Sequence, residues 1–358
     1  MKILYVSDAL SIHTKRWAEY FRDSGAEVHV ASFRAANIQG VTTHVLPTFG
    51  LGKCGYLIAP FFLRTLYRKL KPDVVHAQYV TSYGFLTAIA GMRPMVVTAW
   101  GTDVLISSQK SFLMHWLASY AVRHADVVTT VAQHMNSAVV ALGVSEDAVS
   151  AVPFGVDTKC FVPPSGRHAG VKPLRLICTR NFAPIYDVGT LIKALQQLAQ
   201  GGLDLHLDLV GAGPLRSELE AQIIRSELSS QVTFHGHVSH DYLAKLLAKA
   251  DIFVSPALSD GNNVSLNEAM ACSTFPIATN IPANAQWLED GVNGLLYPPG
   301  DATALSECIL RAAVDSNWRE RAGNVNRSIV EQRADWSVCV ARVRDIYAKV
   351  IAQAGVHG

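Results

Sequence analysis

The chain has 358 residues, 49% of them hydrophobic, and a formal net charge of +2. That length favours two domains over one, and the near-balanced charge argues against a nucleic-acid or strongly acidic partner. Residues 1–155 carry 13 Lys and Arg against 9 Asp and Glu, and the remainder carries 18 against 20. A surplus this small does not by itself predict an anionic partner.

Cysteine usage and hydropathy indicate a reduced, cytoplasmic protein. The six cysteines form no CxxC pair and show no metal-ligand spacing, which is typical of chains kept in a reducing compartment. The opening MKILYVSDALS lacks the length and cleavage pattern of a secretory signal. No run of about 18 apolar residues occurs, so we expect no membrane-spanning helix.

Short apolar runs alternate with helix-forming stretches through the first half of the chain. Most of these runs are apolar on both faces, as buried parallel strands are. Strands are predicted at residues 2–7, 27–32, 42–47, 73–78, 95–100, 126–132 and 149–154, and helices around 14–22, 83–91, 112–124 and 134–142. This alternation favours a doubly wound α/β sheet.

The alternation stops at a segment rich in glycine and proline and then resumes. Strands of the second series are predicted at residues 174–180, 203–211, 231–236, 251–257 and 275–280, followed by a closing amphipathic helix at 335–353. The predicted boundaries are 1–155 for the N-terminal domain, 156–173 for a linker, 174–334 for the C-terminal domain and 335–358 for the closing helix. We expect that helix to return to the N-terminal domain.

The stretch SDGNNVSLNEAMA, residues 259–271, has the features of a phosphate and sugar site. Asp260 follows a predicted strand, and Asn262 or Asn263 is a suitable cap for the next helix. The amides of about residues 263–265 would then be unpaired donors at the positive end of the helix dipole, where phosphate binds. On the residues alone, a turn-closing Asp260 and a solvent-facing Glu268 remain an equal alternative.

This stretch resembles the E-x7-E motif of retaining GT-B glycosyltransferases of family GT4. Further segments of that family follow in the expected order, at residues 152–161, 209–220, 232–238, 250–272 and 287–301. The similarity is continuous over the second domain and looser over the first. It implies a GT-B fold, in which two Rossmann-like domains face an interdomain cleft. It also implies an acceptor on the N-terminal side and a nucleotide sugar on the C-terminal side.

The resemblance implies roles for individual residues of the motif. Asp260, in the first acidic place, contacts the sugar of the donor. Glu268, in the second, binds the nucleotide ribose. The donor phosphate is held by the residues of the following turn, which here are Asn262, Asn263, Val264 and Ser265.

Other donor-binding residues lie at the ends of the neighbouring predicted strands. The resemblance also implies that the base lies against the segment that contains His237 and Val238, and that Gly211 belongs to the donor-binding set. Arg180 matches the family's diphosphate-binding arginine. A guanidinium suits that place because it offers forked donors to a dianion.

The sequence departs from the family pattern in its donor-binding half and after its first strand. Tyr186 stands where a lysine is expected about six residues after Arg180, and the acidic pair begins with Asp rather than Glu. The segment SDALSIH, residues 7–13, replaces a glycine pair. With one cation fewer, Arg180 and the helix terminus are expected to carry more of the leaving-group stabilisation.

A fourth departure concerns the residue that contacts the reacting sugar. Relatives often have a histidine where this chain has Trp100. The role then passes to Asp103 or His13, or is unfilled. His13 is equally consistent with a surface residue at a helix start.

The sequence thus predicts a metal-independent retaining glycosyltransferase that moves a hexosyl unit to a hydroxyl of a glycan or lipid-linked acceptor. The chain has no D-x-D motif, the usual carboxylate pair for a nucleotide-bound metal, so no metal and no cofactor are expected. A UDP-sugar is the first choice of donor and a GDP-sugar the next. Two alternatives stay open: a catalytically silent scaffold that binds sugar nucleotides, and a nucleotide-sugar epimerase.

One basic and apolar segment raises the question of a membrane. Residues 53–71 read KCGYLIAPFFLRTLYRKLK and would suit a helix on a membrane surface. The favoured interpretation is that its apolar face packs on the sheet and its basic face is solvated. Peripheral contact with the inner face of the membrane remains the alternative.

Overall fold

The structure is a computed structural model that describes residues 1–50, 52–164 and 173–356, without the side chains of residues 52–54 and 356. The chain divides into two compact units, one of Met1–Phe154 with Val340–Gly358 and one of Gly155–Cys339. Within the predicted linker, residues 165–172 lie outside the described residues, as do residues 357–358 of the closing segment.

The first unit is built on a parallel sheet of seven strands. Their order is β3-β2-β1-β4-β5-β6-β7. In the centre, Ile3 of the first strand lies beside Val28 and Val74 of its two neighbours. The strands are β1 (Lys2–Val6), β2 (Glu27–Ser32), β3 (Thr42–Val45), β4 (Val74–Gln78), β5 (Met95–Ala99), β6 (Val127–Thr130) and β7 (Val149–Ala151).

Helices cover both faces of this sheet, as right-handed crossovers require. The connections from β3 onward all step in one direction across the sheet, so their helices share one face and pack on one apolar core. The helices are α1 (Ile12–Asp23), α2 (Ala59–Leu70), α3 (Phe85–Ile89), α4 (Ser108–Lys110), α5 (Phe112–His124) and α6 (Asn136–Val140). Helix α1 joins strands that step the other way and therefore covers the opposite face.

The second unit contains a parallel sheet of six strands in the order β10-β9-β8-β11-β12-β13. The strands are β8 (Leu174–Cys178), β9 (Leu205–Val210), β10 (Val232–Gly236), β11 (Ile252–Ser255), β12 (Phe275–Thr279) and β13 (Leu295–Tyr297). Its helices are α7 (Val188–Gln200), α8 (Arg216–Arg225), α9 (His240–Lys249), α10 (Val264–Ala271), α11 (Pro282–Ala285), α12 (Ala302–Val314) and α13 (Ser316–Arg333). Separate apolar cores form on the two faces of the sheet.

The last helix, α14 (Trp336–Val356), begins in the second unit and from Val340 onward belongs to the first. Tyr347 is fully buried there, and its hydroxyl donates to the hydroxyl of Tyr5 at 3.1 Å. It also lies 2.5 Å from Nδ1 of His76. Burial lowers the pKa of His76 to about 3, so the imidazole is a neutral part of the core.

The predicted α/β architecture is confirmed, and every predicted strand is present. Several strands end earlier than predicted because their last residues already turn away from the sheet. Strand β13, of three residues, was not predicted. The predicted helix at 83–91 is shorter, because a π-helical turn at Val80–Gly84 precedes α3.

The favoured interpretation of the basic segment is correct for the inner face of α2. Leu63 is fully buried in the core, and Phe62 and Leu66 pack against it. The outer face is not purely basic, because Phe61 on that face is 71% exposed. Among the described residues, no helix has the length and apolarity needed to cross a membrane.

Candidate functional site

Four neighbouring strands of the second sheet bring the candidate residues to one edge. Strands β10, β9, β8 and β11 run parallel and side by side. Beyond their carboxyl ends the chain reaches His237, Gly211, Arg180 and Asp260. The amide of Gly211 donates to the carbonyl of Gly236 at 2.9 Å, which joins two of these segments. Ligands of open α/β sheets bind at such an edge.

Arg180 lies at the centre of this edge and is only 7% exposed. Its Nη2 forms an ion pair with Asp260, and its Nη1 donates to Oδ1 of Asn263 at 2.7 Å. The ring of Tyr186 covers the guanidinium, with the centroid 4.3 Å from Cζ. A planar cation held on three sides has a fixed orientation. These residues, together with Asn262, are called the Arg180 cluster below.

Asn263 ties the Arg180 cluster to the start of helix α10. It is fully buried and caps the helix, because its Oδ1 also accepts from the amide of Leu266 at 3.1 Å. Its Nδ2 donates to Oγ of Ser255 at 2.9 Å and to Oδ1 of Asn284 at 2.8 Å. Of the two predicted cap residues, Asn263 is therefore the cap, and its bonds fix the guanidinium relative to the helix.

Several buried polar atoms in the Arg180 cluster and in the adjacent Thr179 lack a partner among the described residues. Both side-chain amide atoms of Asn262 are buried without a hydrogen bond, although the residue is only 6% exposed. The same holds for Nε of Arg180 and Oγ1 of Thr179. Buried polar groups are almost always satisfied in folded proteins. Their concentration beside a cation therefore points to a polar ligand.

The backbone of Arg180 packs closely against a glycine of the neighbouring segment. Gly211 has φ of +147°, and a Cβ there would lie 2.4 Å from the carbonyl oxygen of Arg180. A Cβ on Gly213 would lie 2.4 Å from the carbonyl oxygen of Phe182. Only glycine allows this approach, so Gly211 has a packing role that the sequence did not predict.

The start of helix α10 partly corrects the sequence prediction. The amide of Val264 is not unpaired, because it donates to the carbonyl of Asn262 at 2.9 Å. The Ser265 hydroxyl donates to the carbonyl of Thr179 at 2.9 Å, which holds the helix against the end of β8. Glu268 lies one turn further along and is 8% exposed, so the alternative of a solvent-facing carboxylate is wrong.

The predicted base-binding residues follow β10 directly. His237 is exposed, and Val238 is half-buried against the apolar core below α9 and α10. Their place at the same edge as Arg180 agrees with the assigned role. Contact with a base stays a prediction.

Asp103, in the first unit, has a role different from the predicted one. It has no exposed surface, and its carboxylate accepts from the amides of Val80, Trp100, Gly101 and Val104 at 2.8 to 3.1 Å. Burial raises the pKa of this carboxyl, and the amide hydrogen bonds oppose that rise. A carboxylate enclosed in this way shapes the loop after β5 and is not placed to touch a sugar.

His13 remains a candidate of the first unit. It is half-buried, stacks on Phe154 with ring centroids 3.8 Å apart, and meets the edge of Trp100 at 5.6 Å. Burial and the charge of Arg16 lower the pKa of His13 to about 4. The imidazole is therefore neutral at pH 7 and is not a cation for the leaving group.

Two family models match the chain. Residues 2–132 match the model described as Glycosyl transferase 4-like, and residues 173–315 match the model described as Glycosyl transferases group 1. Together the two ranges cover more than half of the chain. The chain belongs to the group 1 glycosyltransferases.

Known proteins resemble this glycosyltransferase over most of its length. An uncharacterized glycosyltransferase of Methanocaldococcus jannaschii is 26% identical, with 78% of this chain and 76% of that protein covered. The phosphatidyl-myo-inositol mannosyltransferase of Mycolicibacterium smegmatis is also 26% identical, over 98% and 92% of the two chains. The crystal structure of Anabaena HepE in complex with UDP aligns with a TM-score of 0.82 at 20% identity, over 98% and 100% of the chains. The GT-B fold, with its two Rossmann-like units, is thereby confirmed.

The sequence did not indicate the structural role of two residues of this glycosyltransferase's site. Tyr186 was noted only as the replacement for a lysine, and its place over Arg180 depends on the turn at Pro184–Tyr186. That turn is held by the carbonyl of Ile185, which accepts from the amide of Leu258 at 2.8 Å. Asn284, which positions Asn263, follows a different strand and carries no motif.

Proposed function

We propose that this glycosyltransferase is a retaining enzyme that transfers a hexosyl unit from a nucleoside diphosphate sugar to a hydroxyl group. That hydroxyl belongs to a glycan or to a lipid-linked acceptor. The observation that carries the proposal is the Arg180 cluster. A nearly buried, oriented guanidinium lies beside unpartnered amide atoms of Asn262 and a helix start. A diphosphate supplies the acceptor oxygens that such a cluster needs.

The roles follow from the positions of the residues around that cation. Arg180 binds the diphosphate, and Asn262 donates to a phosphate oxygen through Nδ2. Asp260 reaches the hydroxyls of the sugar, and Glu268 accepts from the ribose hydroxyls one helical turn further on. His237 and Val238 lie against the base. Each role is supported by the location of these residues at one edge of the sheet.

The reaction is a substitution on one face of the sugar. The bond between C1 and the diphosphate oxygen breaks, and the acceptor oxygen forms its bond to C1 on the same side. The acceptor proton goes to the departing diphosphate oxygen, so the products are the glycoside and the nucleoside diphosphate. Arg180 stabilises the charge that develops on the leaving group, and Asp260 stabilises the positive charge on the sugar. Catalysis is then chiefly positioning and electrostatics.

The donor we propose is a UDP-sugar, with a GDP-sugar as the next choice. Support comes from the similar fold of the Anabaena HepE protein, which was crystallised with UDP. The resident cation of the site is Arg180, so the proposed reaction needs no metal ion and no cofactor. Fixed dipoles and a guanidinium can replace a divalent ion at a diphosphate.

Turnover in the presence of a chelator tests the proposal. The protein is incubated with UDP-, GDP-, ADP- and TDP-sugars and a membrane lipid and glycan extract, with and without EDTA. We expect release of one nucleoside diphosphate that depends on the extract and that EDTA does not reduce.

Other outcomes separate the alternatives. Binding of a donor, seen as a rise in Tm, without any release of nucleoside diphosphate would favour the silent scaffold. Conversion of the donor into another sugar nucleotide without extract would favour the epimerase. Loss of release with EDTA would contradict the metal-independent mechanism.

Replacement of Tyr186 tests whether its ring orients Arg180. Tyr186→Leu is expected to lower kcat/KM about tenfold, since a partly buried cation–π contact contributes about 1–2 kcal/mol. Tyr186→Phe keeps the ring and is expected to stay within about twofold of the unchanged enzyme. Steady-state kinetics with varied donor measures both. An equal loss in the two variants would show that the hydroxyl matters rather than the ring.

A further inference from the structure

A group of fully buried polar side chains connects the Arg180 cluster to the neighbouring strands of the second sheet. They are Ser255 at the end of β11, Asn263 at the start of α10, Thr279 at the end of β12 and Asn284 in α11, and they are called the amide network below. Strand β11 lies between β12 and β8, the strand that leads to Arg180. Burial of polar groups is costly unless they are hydrogen-bonded. The hydrogen bonds of the amide network therefore decide what these side chains contribute.

Thr279 fixes the orientation of the Asn284 side chain. The hydroxyl of Thr279 donates to the carbonyl of Ala257 at 2.5 Å, which uses its only proton. The hydroxyl oxygen and the backbone carbonyl of Thr279 then act as acceptors. Nδ2 of Asn284 donates to the carbonyl at 2.9 Å and to the hydroxyl at 3.2 Å. The amide group of Asn284 thus faces Thr279 with its nitrogen and directs Oδ1 to the other side.

Asn284 in turn fixes the orientation of Asn263. Its Oδ1 accepts from Nδ2 of Asn263 at 2.8 Å, and the same Nδ2 donates to Oγ of Ser255 at 2.9 Å. Oδ1 of Asn263 is thereby left for two donors, the amide of Leu266 at 3.1 Å and Nη1 of Arg180 at 2.7 Å. A reversed amide group on Asn263 would place its own donors against both of them. Because buried donors that face each other are costly, one arrangement of the network is strongly favoured.

Arg180 consequently has one charged and one neutral partner. Asp260 accepts from Nη2, and Asn263 accepts from Nη1. An anionic ligand competes with Asp260 for the guanidinium, because both are charged acceptors. The orientation of the guanidinium during that competition depends on the neutral partner, and the neutral partner is held by the amide network.

We propose that Asn284 is a positioning residue for the diphosphate of the donor. It acts through Asn263, whose Oδ1 it keeps directed at Nη1 of Arg180, and it does not have to touch the donor. The guanidinium then keeps the plane in which its fork binds two phosphate oxygens. The inference rests on the proposed function and deepens it, since it names a residue that sets the preference of the site for a diphosphate over a nucleoside.

A buried asparagine also stabilises the fold, so the test needs a control of the same kind. Asn326 on α13 is fully buried as well. Its Oδ1 accepts from Nδ2 of Asn293 at 2.8 Å, and its Nδ2 donates to the carbonyl of Asn293 at 2.7 Å. Substitution of Asn326 is expected to lower the Tm about as much as substitution of Asn284, without changing which ligand is bound.

Binding of nucleoside diphosphates and of their nucleosides tests the inference. UDP is compared with uridine, and GDP with guanosine, by calorimetric titration. The Kd of the nucleoside divided by the Kd of the diphosphate measures the preference for the diphosphate. Asn284→Ala is expected to lower this preference about tenfold, because loss of one hydrogen bond to a charged group has about this effect. Asn326→Ala is expected to leave the preference unchanged.

Asn284→Asp adds a readout that depends on pH. An aspartic acid can donate to Thr279, as Asn284 does, only while its carboxyl is protonated. Burial raises the pKa of such a carboxyl, so the folded protein holds the proton more tightly than the unfolded chain does. The stability and the diphosphate preference of this variant, each relative to the unchanged protein, are therefore expected to fall as the pH rises from about 5 to 8. Asn326→Asp is expected to lose stability in the same way but to keep its preference.

The outcomes separate this inference from the proposed function. Equal diphosphate preference in the unchanged protein and the Asn284 variants would overturn the inference alone, and so would an equal loss in the Asn284 and Asn326 variants. An unchanged protein without any diphosphate preference would overturn the inference together with the proposed function. A preference that depends on Asn284, in a protein that releases no nucleoside diphosphate from any donor, would support the inference and contradict the transfer.

Discussion

Arg180→Ala is expected to lower kcat about 10²- to 10³-fold, with a smaller rise in KM for the donor. Loss of one preorganised donor to a developing oxyanion has an effect of about this size. Tyr186 lies over the guanidinium and stands where the family pattern has a lysine. The cationic part of the stabilisation of the leaving group is therefore assigned to Arg180. Initial rates of nucleoside diphosphate release at saturating donor measure it.

One further variant separates the charge of the arginine from its shape, and a second variant is its control. Arg180→Lys keeps the charge but not the fork, so part of the lost rate is expected to return. Arg175→Ala is the matched control, because Arg175 lies on the same strand with an exposed side chain. It is expected to behave like the unchanged enzyme. A folded Arg180→Ala protein with kcat within about threefold of normal would contradict the mechanism.

The architecture could be predicted because buried parallel strands leave a strong pattern. Runs such as MVVTA, which forms β5, are apolar on both faces, as strands buried in a parallel sheet are. Strand β13 left no such pattern, because its three residues are enclosed by Gly294 and Pro298, which favour a turn. The π-helical turn at Thr102–Ser107 was also unpredictable, because it depends on the burial of Asp103 among backbone amides.

The site was predictable where neighbours in sequence are neighbours in space. Asp260, Asn263 and Glu268 belong to one corner between β11 and α10, so a single motif placed all three. Contacts between corners were not predictable. The ion pair of Arg180 with Asp260 joins residues 80 positions apart. The ring of Tyr186 depends on a turn whose position is set by a third segment.

The ion pair between Arg180 and Asp260 has a kinetic consequence. In the structure, the carboxylate of Asp260 accepts from the guanidinium that is assigned to the diphosphate. Both groups are largely buried, with the Asp260 side chain 16% exposed. A diphosphate must therefore share Arg180 with Asp260. In the proposed mechanism, the carboxylate competes with the leaving group for Arg180 and is also needed to stabilise the sugar.

Asp260→Asn is expected to separate these two effects. Asparagine has the same size and no charge, so Arg180 is free to bind the diphosphate fully, and KM for the donor is expected to stay equal or to fall. Asparagine cannot stabilise positive charge on the sugar, so kcat is expected to fall about 100-fold. A lower kcat with an equal or lower KM identifies a group that acts in the transition state.

The controls distinguish charge from reach and from general effects on the fold. Asp260→Glu restores the carboxylate with one more methylene group, which is the family's usual residue, and is expected to keep kcat within about tenfold. Asp204→Asn removes an exposed carboxylate just before β9, at the amino edge of the same sheet, and is expected to change neither constant. If Asp260→Asn raised KM strongly and left kcat unchanged, Asp260 would hold the donor in the ground state. The proposed stabilisation of the sugar cation would then be wrong, because uniform binding affects KM and not kcat.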